Sequence, residues 1–192
     1  MIFVLEPNKF RVSFFIVKVK RMVLIHCDIW GPYREASFCG AHYFQTTMDD
    51  ASRTTWVYLM KNRSETSSLL KRFVAMIEDQ FGKGIKIVGS DNKSEFIADP
   101  MLQFYAENGL IQQRSCVGTL QQNSRVERKH RHALEVARAL RFQINLPIQF
   151  WSECAMTAAY LINRTPSRLL KGKTPYEVMY HQQPAYDHIQ VF

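Results

Sequence analysis

Three acidic residues stand where an α/β protein commonly presents functional side chains. Asp28 and Asp91 each end a short apolar run that predicts a buried strand, and Glu127 lies near the start of a long helical pattern. Because strand ends form the usual site of an α/β sheet, a helix packed across that edge can add a third carboxylate. Three converging carboxylates suit Mg²⁺ or Mn²⁺. Two such ions can activate the attacking oxygen and stabilise the leaving oxygen of a phosphodiester displacement.

Each of these acids also has an ordinary structural explanation. Aspartate is common in the turns that follow strands, which would account for Asp28 and Asp91. Glu127 and Arg131 are four positions apart on the predicted helix and could pair on its surface. The residue types alone therefore leave the choice between a site and a set of structural acids open.

Charge and composition narrow the class of protein. The chain has 192 residues, 46% of them hydrophobic, which is enough for a packed core and excludes a disordered or collagen-like chain. Its 25 Lys and Arg against 17 Asp and Glu give a net charge of +8, which favours a polyanionic partner. No apolar run approaches the roughly 18–20 residues of a membrane-spanning helix. The four cysteines form no metal-ligand cluster, and we expect a reduced, intracellular protein.

The elements that must position the acids follow from the periodicity of apolar residues. Alternation and turn residues predict three antiparallel strands over 22–28, 41–48 and 54–60. Helical spacing then alternates with two further strands, at 85–91 and 110–113. The predicted helices cover about 64–81, 100–107, 122–144, 147–165 and a short segment from 174. We expect an α/β fold with a five-stranded mixed sheet, three antiparallel strands followed by two parallel additions, and helices on both faces.

This pattern divides the chain into three parts. We expect a core domain over 22–165 and a C-terminal extension with a short helix over 166–192. For residues 1–21, the sequence is consistent either with an extra strand or with a poorly specified leader.

One spacing and several short sequence motifs resemble those of a known protein family. Asp91 and Glu127 are separated by 35 residues. This spacing and the motifs given next resemble those of integrases of copia-type long-terminal-repeat retrotransposons, in the retroviral integrase superfamily. The resemblance extends from about residue 24 onwards. The motifs are HCDIWGP at 26–32, DDASR at 49–53, SDNKSEF at 90–96, QQNSRVER at 121–128, NRTP at 163–166 and KTPYE at 173–177, together with the single residue Trp151.

The resemblance implies both a fold and an activity. It implies an RNase H-like fold and a two-metal polynucleotidyl transferase in which Asp28, Asp91 and Glu127 are the catalytic residues and hold two Mg²⁺ or Mn²⁺ ions. The implied reactions are trimming of the 3′ ends of element DNA and joining of those ends to target DNA. We further expect a homo-oligomer, nuclear where it is functional, with no membrane partner and no small-molecule substrate.

Candidate DNA contacts lie on the long predicted helix. Residues 121–145 hold six Lys or Arg against two Glu, which in general indicates a solvated cationic face. Beside a catalytic glutamate, Lys129, Arg131 and Arg138 become candidates for phosphate contact. Asn123 could position DNA or a water, or it could cap the start of the helix.

Two residues depart from the family pattern beside the implied site. Lys93 and Ser124 stand where the family usually has glycine. We expect Lys93 to place a side chain in a turn that prefers none and a cation near the metals. Ser124 offers Glu127 a competing capping arrangement. We therefore expect a truncated or degenerate copy, and a non-catalytic nucleic-acid-binding or dimerisation module is the alternative; a plain RNase H-type nuclease is a weaker one.

Four other features have simple structural interpretations. His130 falls on the apolar stripe of the long helix, where a packed histidine is favoured over a metal ligand. Asp49 and Asp50 fit an Asx-type turn. We expect Trp56 and Trp151 to be core aromatics. Cys27 should be buried.

Overall fold

A computed structural model of the chain describes residues 23–82, 84–114 and 124–187. In the last range, side chains are described from residue 126 onwards. The N-terminal segment 1–21 and Asn123, on which two of the sequence predictions fall, lie outside the described residues. Within them, the strands are β1 Leu24–Trp30, β2 Tyr43–Asp49, β3 Thr55–Met60, β4 Ile87–Ser90 and β5 Ile111–Arg114. The helices are α1 Thr66–Phe81, α2 Ser94–Ile97, α3 Asp99–Glu107, α4 Ser124–Gln143, α5 Trp151–Arg164 and α6 Pro175–Tyr180.

The five strands form one mixed sheet in the order β3-β2-β1-β4-β5. Strand β1 is antiparallel to β2, which is antiparallel to β3, whereas β4 pairs parallel to β1 and β5 parallel to β4. This is the predicted arrangement of a meander followed by two parallel strands, and the fold prediction is confirmed. The register pairs Cys27 of β1 with Ser90 of β4, so Asp28 and Asp91 follow side by side.

One face of the sheet is covered by α1 and α3. Leu70, Phe73 and Ile77 recur at helical spacing on α1 and are buried, as the sequence pattern predicts. Phe73 meets the ring of Trp56 edge-on, with 5.1 Å between the ring centroids. Helix α1 ends at Gly82, whose φ of 61° lies in the left-handed region that favours glycine.

Helices α4 and α5 cover the opposite face. Small residues separate the two helices, with Ala137 of α4 against Ala155 and Ala158 of α5, so that their backbones approach closely. Trp151, at the start of α5, packs against Trp30 with 5.7 Å between ring centroids, and its Nε1 donates a hydrogen bond to the Glu35 carbonyl at 3.1 Å. Both predicted core tryptophans therefore pack within the fold.

Most element ends differ from the sequence prediction by a few residues, and three differences matter for the fold. Strand β1 continues two residues beyond Asp28, so this aspartate lies within a strand instead of ending it. The predicted cap Ser64 lies inside a single 3-10 turn, Arg63–Glu65, that precedes α1. There the Glu65 carboxylate accepts the backbone N–H of Asn62 at 2.8 Å, which supplies the cap. The short helix α2 before α3 was not predicted.

The C-terminal helix follows its capping signal. Thr174 Oγ1 accepts a hydrogen bond from the Glu177 N–H at 3.0 Å, and the Glu177 carboxylate accepts from the Thr174 N–H at 2.7 Å. These reciprocal bonds form the predicted capping box at the start of α6. No helix among the described residues has the length and apolar character needed to cross a membrane.

Candidate active site

Asp28 and Asp91 come together at one edge of the sheet. Asp28 lies near the carboxyl end of β1, and Asp91 directly follows the parallel neighbour β4. Their carboxylates contact the same ammonium group, since Nζ of Lys93 lies 2.7 Å from Asp28 Oδ1 and 2.8 Å from Asp91 Oδ2. The strand pairing thus brings together the two aspartates that the sequence singled out, with a lysine between them.

Lys93 is held in this position by its own backbone. It precedes α2 with φ −65° and ψ 141°, an extended conformation that any residue adopts, so the expected strain in a glycine-preferring turn is not found. Its N–H donates to Asp91 Oδ1 at 3.2 Å, and its ammonium also donates to the Ile29 carbonyl at 3.1 Å. Burial lowers the pKa of Lys93, but hydrogen bonds and charge from both aspartates outweigh this and hold the pKa above its usual value. The lysine is therefore charged at neutral pH.

The second oxygen of Asp28 is held by His130 of α4. His130 Nδ1 lies 3.0 Å from Asp28 Oδ2, and the Ile29 N–H donates to Oδ1 at 2.8 Å. Burial raises the pKa of Asp28, but the hydrogen bonds and charges of His130 and Lys93 lower it by more than burial raises it. The pKa of Asp28 therefore lies below its usual value. Asp28 is accordingly an ionised and almost fully hydrogen-bonded carboxylate.

Glu127 does not join this pair. It is exposed in the first turn of α4, whereas the buried stripe of that helix runs through Val126, His130 and Ala133. No group of three His, Cys, Asp or Glu among the residues that the structure describes is placed to hold a metal ion. The predicted convergence of three carboxylates is thus not present, because the rotation of α4 turns His130, three positions further on, toward Asp28.

The residues present do not fit a divalent metal pair in this arrangement. Mg²⁺ requires carboxylate oxygens at about 2.0–2.1 Å with near-octahedral geometry. Here an ammonium lies between the carboxylates of Asp28 and Asp91 and accounts for one oxygen of each. Glu127, the third expected ligand, faces solvent.

The candidate DNA contacts have different surroundings. Arg131 and Arg138 are exposed and lie seven positions apart on α4, so they share a face. Lys129 is only half-exposed, and burial together with the charge of Arg53 lowers its pKa. The position of Asn123 and the side chain of Ser124 lie outside the described part of the chain, so the capping prediction for Ser124 stays a prediction.

Residues beside the site have the structural roles that the sequence indicated. Asp49 Oδ2 accepts hydrogen bonds from the N–H and the hydroxyl of Ser52, both at 2.7 Å, as in an Asx turn. Asp50 pairs with His26 at 3.0 Å and with Arg53 at 3.3 Å. Burial raises the pKa of the Cys27 thiol to about 12, so this cysteine is buried and uncharged, as expected.

Three contacts were not predicted from the sequence. Lys93 was identified as a cation near Asp91, but its bond to Asp28, 65 positions away, has no local signal. The apolar stripe of α4 indicated that His130 is buried, but it gave no indication that the ring bonds Asp28 and Thr46.

Solved integrase structures share this fold. The catalytic core domain of BIV integrase superposes with a TM-score of 0.59 at 16% identity, covering 82% of this chain and 93% of that one. The HTLV-2 integrase catalytic core domain in complex with magnesium, in a trimeric form, gives 0.60 at 15% identity, covering 83% and 97%. A simian T-cell lymphotropic virus intasome in complex with the PP2A regulatory subunit B56 gamma gives 0.64 at 15%, covering 94% and 63%. At these identities the likeness shows the fold, which is RNase H-like.

Sequence comparison gives the family. A family model described as "Integrase core domain" matches residues 19–119. The Pol polyprotein of transposon TNT 1-94 from Nicotiana tabacum is 34% identical over 175 residues, and that of transposon RE1 from Arabidopsis thaliana is 30% identical over 168. These alignments cover 91% and 88% of this chain but only 13% and 11% of the polyproteins. The chain belongs to the integrase core domain family and is similar to the integrase region of plant retrotransposon Pol polyproteins.

Proposed function

We propose that this chain is the core domain of a copia-type retrotransposon integrase and that it binds DNA, the substrate of integration in that family. The observation that carries the proposal is the bond between His130 and Asp28 at 3.0 Å. It fixes α4 across the edge of the sheet, and the exposed Arg131 is the next residue along that helix. The cationic face of α4 suits a substrate whose backbone is a polyanion.

Binding should depend on phosphate contacts and not on base sequence. Arg131 and Arg138 share one exposed face of α4, and guanidinium groups on such a face can contact successive phosphates. The chain as a whole carries a net charge of +8, which adds long-range attraction. Element ends and target DNA are the proposed partners.

The proposed activity of the family site is metal-dependent 3′-end processing and strand transfer by Asp28, Asp91 and Glu127. The magnesium named with the HTLV-2 core supports a metal-dependent site in the family. In this chain, however, Lys93 lies between the aspartates and Glu127 faces solvent. We therefore propose that strand transfer is weak or absent and that DNA binding is the function retained.

We further propose that the protein forms a homo-oligomer and acts in the nucleus. The trimeric form of the HTLV-2 core and the simian intasome support self-association of this chain. Nuclear localisation would follow from a role in integration.

The salt dependence of DNA binding tests the proposal. A fluorescent duplex is titrated with the chain at several salt concentrations, and the slope of log K against log salt concentration is measured. Replacing Arg131 and Arg138 by Ala should reduce that slope by about one unit per lost phosphate contact. Each arginine is replaced singly, and Arg72→Ala, which removes one charge from an exposed position of α1 on the opposite face of the sheet, serves as the control for each. Equal slopes for the α4 variants and wild type would refute a DNA-binding role for this face.

A further inference from the structure

The ammonium of Lys93 is enclosed by three oxygen atoms. It lies 2.7 Å from Asp28 Oδ1, 2.8 Å from Asp91 Oδ2 and 3.1 Å from the Ile29 carbonyl oxygen. The contacts with Asp28 and Ile29 are hydrogen bonds and the contact with Asp91 is an ion pair, so three oxygens surround an ammonium that has three N–H donors. The arrangement is a small cation site in which the cation is part of the chain.

The position of Lys93 is determined by its place in the sequence, close after Asp91. Lys93 follows Asp91 by two residues, and its N–H donates to Asp91 Oδ1 at 3.2 Å. That bond orients the backbone at the start of α2, from where the side chain reaches back across β4 to β1. The side chains of Lys93, Asp28 and Asp91 are 31%, 11% and 23% exposed, so the ion pairs are partly shielded from water. Pairs of this kind are less screened than those on an open surface.

Removing the cation would leave two carboxylates side by side. Adjacent like charges in a partly buried site disfavour the folded state unless a proton or a cation compensates them. His130 already occupies Oδ2 of Asp28, and it does not contact Asp91. The charge that compensates the pair is therefore the Lys93 ammonium.

A divalent ion would need the same oxygens. Mg²⁺ or Mn²⁺ between Asp28 and Asp91 would have to displace the ammonium from Oδ1 of one and Oδ2 of the other. It would also have to tolerate the displaced positive charge nearby, because Lys93 is tethered next to Asp91 by its backbone. Both requirements weaken divalent-ion binding relative to a site without the lysine.

We propose that the Lys93 ammonium replaces a divalent cation between Asp28 and Asp91, so that this integrase core is stabilised without metal and excludes divalent ions from the aspartate pair. The inference concerns the same acidic pair as the proposed function but does not depend on DNA binding. It rests on the geometry of the pair, and it is tested on the chain without DNA.

Thermal unfolding with and without Mn²⁺ provides the test. The wild type should unfold at the same temperature in EDTA and in millimolar Mn²⁺. Lys93→Ala should unfold at a lower temperature in EDTA and recover in Mn²⁺, because the metal then compensates the carboxylates. Lys86→Ala, which removes an exposed lysine just before β4, is the matched control and should behave as wild type. The double variant Lys93→Ala, Asp91→Asn should lose the response to Mn²⁺.

Direct Mn²⁺ binding, measured by electron paramagnetic resonance of the free ion, gives a second readout. We expect the dissociation constant of Lys93→Ala to be at least about tenfold lower than that of wild type, since one repelling charge is removed from the site. If Lys93→Ala does not fold in EDTA, folding it in Mn²⁺ makes the same comparison. The proposal is overturned if wild type binds Mn²⁺ as tightly as Lys93→Ala, or if wild type shows a Mn²⁺ response that Asp91→Asn abolishes.

Discussion

His130 on α4 donates from Nδ1 to Oδ2 of Asp28 on β1 across 3.0 Å, with both side chains almost fully buried. An ionised carboxylate only accepts hydrogen bonds, so Nδ1 carries the proton. In the neutral ring, Nε2 is then left to accept from the Thr46 hydroxyl on β2, which lies 3.2 Å away. One imidazole thus joins the cationic helix to two neighbouring strands at the acidic pair.

Replacing His130 by Ala should destabilise the fold. The change leaves Asp28 Oδ2 and the Thr46 hydroxyl without this buried partner, and unsatisfied groups of this kind cost about 1–3 kcal/mol. It also removes the ring that packs on Phe44, with 4.9 Å between ring centroids. We expect the free energy of unfolding, measured by urea denaturation, to fall by at least about 1–3 kcal/mol.

The matched control for this variant is His132→Ala. His132 is exposed on the same helix two positions further on, and substitutions at such sites usually stay within about 0.5 kcal/mol. Equal losses in the two variants would contradict a specific role for the His130 hydrogen bonds.

Acid should weaken the fold through Asp28. Its pKa lies below the usual value because the bonds and charges of His130 and Lys93 outweigh the effect of burial. A carboxyl with a depressed folded-state pKa contributes stability above its unfolded pKa, about 3.9, and loses it as pH falls through the folded value. Between about pH 5 and pH 3, wild type should therefore lose stability more steeply than Asp28→Asn. Urea midpoints at successive pH values measure this, with Asp79→Asn on the exposed surface of α1 as the control; parallel curves for wild type and Asp28→Asn would refute it.

Much of the fold could be predicted from the sequence because the signals are local. The spacing of Leu70, Phe73 and Ile77 identifies α1, and Gly82 marks its end. Thr174 and Glu177 form the capping box that their spacing indicates. Such patterns depend on residues a few positions apart, which the sequence states directly.

The site could be predicted only in part, because its geometry depends on contacts between distant segments. Asp28 and Asp91 meet through the parallel pairing of β1 with β4, which the order of elements and the family resemblance both suggest. The apolar stripe of α4 indicates that His130 is buried, but no local pattern indicates that its ring bonds Asp28, because that bond depends on where the helix crosses the sheet. The reach of Lys93 to Asp28 likewise depends on side-chain geometry at the start of α2.

Asn163 should be important for fixing α5 to the edge strand. Its Oδ1 accepts from the Thr55 N–H at 2.9 Å, and its Nδ2 donates to the Thr55 carbonyl at 2.7 Å, so one amide pairs with the backbone of β3 like a neighbouring strand. Asn163→Ala removes both bonds and should lower the free energy of unfolding by about 1–3 kcal/mol.

Asn163→Asp tests the same contact more finely. The carboxylate can still accept from the Thr55 N–H, but it cannot donate and would face the Thr55 carbonyl oxygen. We therefore expect Asn163→Asp to be destabilised at neutral pH and to recover partly where the carboxyl is protonated. A loss of stability that does not change with pH would contradict this interpretation. Urea denaturation at several pH values distinguishes the two outcomes.

Strand transfer by the unmodified chain should be weak or absent at physiological Mg²⁺, and Lys93→Gly should restore more of it than Ser124→Gly. The ammonium contacts both aspartates, whereas Ser124 acts at most as a helix cap worth about 1 kcal/mol. At about 4 Å and an effective dielectric near 20, each unit of charge repels another by about 4 kcal/mol before solvent screening. Screening at a side chain that is 31% exposed reduces this value, yet each 1.4 kcal/mol that remains is a factor of about ten in metal affinity.

An oligonucleotide joining and disintegration assay with Mg²⁺ and with Mn²⁺ measures the effect. Glycine at position 93 removes the charge, and the extended backbone there does not need glycine, so any gain in activity reports on the ammonium and not on relief of strain. Lys93→Ala should accordingly restore about as much activity as Lys93→Gly. Efficient joining by the unmodified chain would contradict the proposed loss of activity. Rescue by Ser124→Gly without rescue by Lys93→Gly would instead place the defect at the start of α4, where Glu127 would have to turn toward the aspartates.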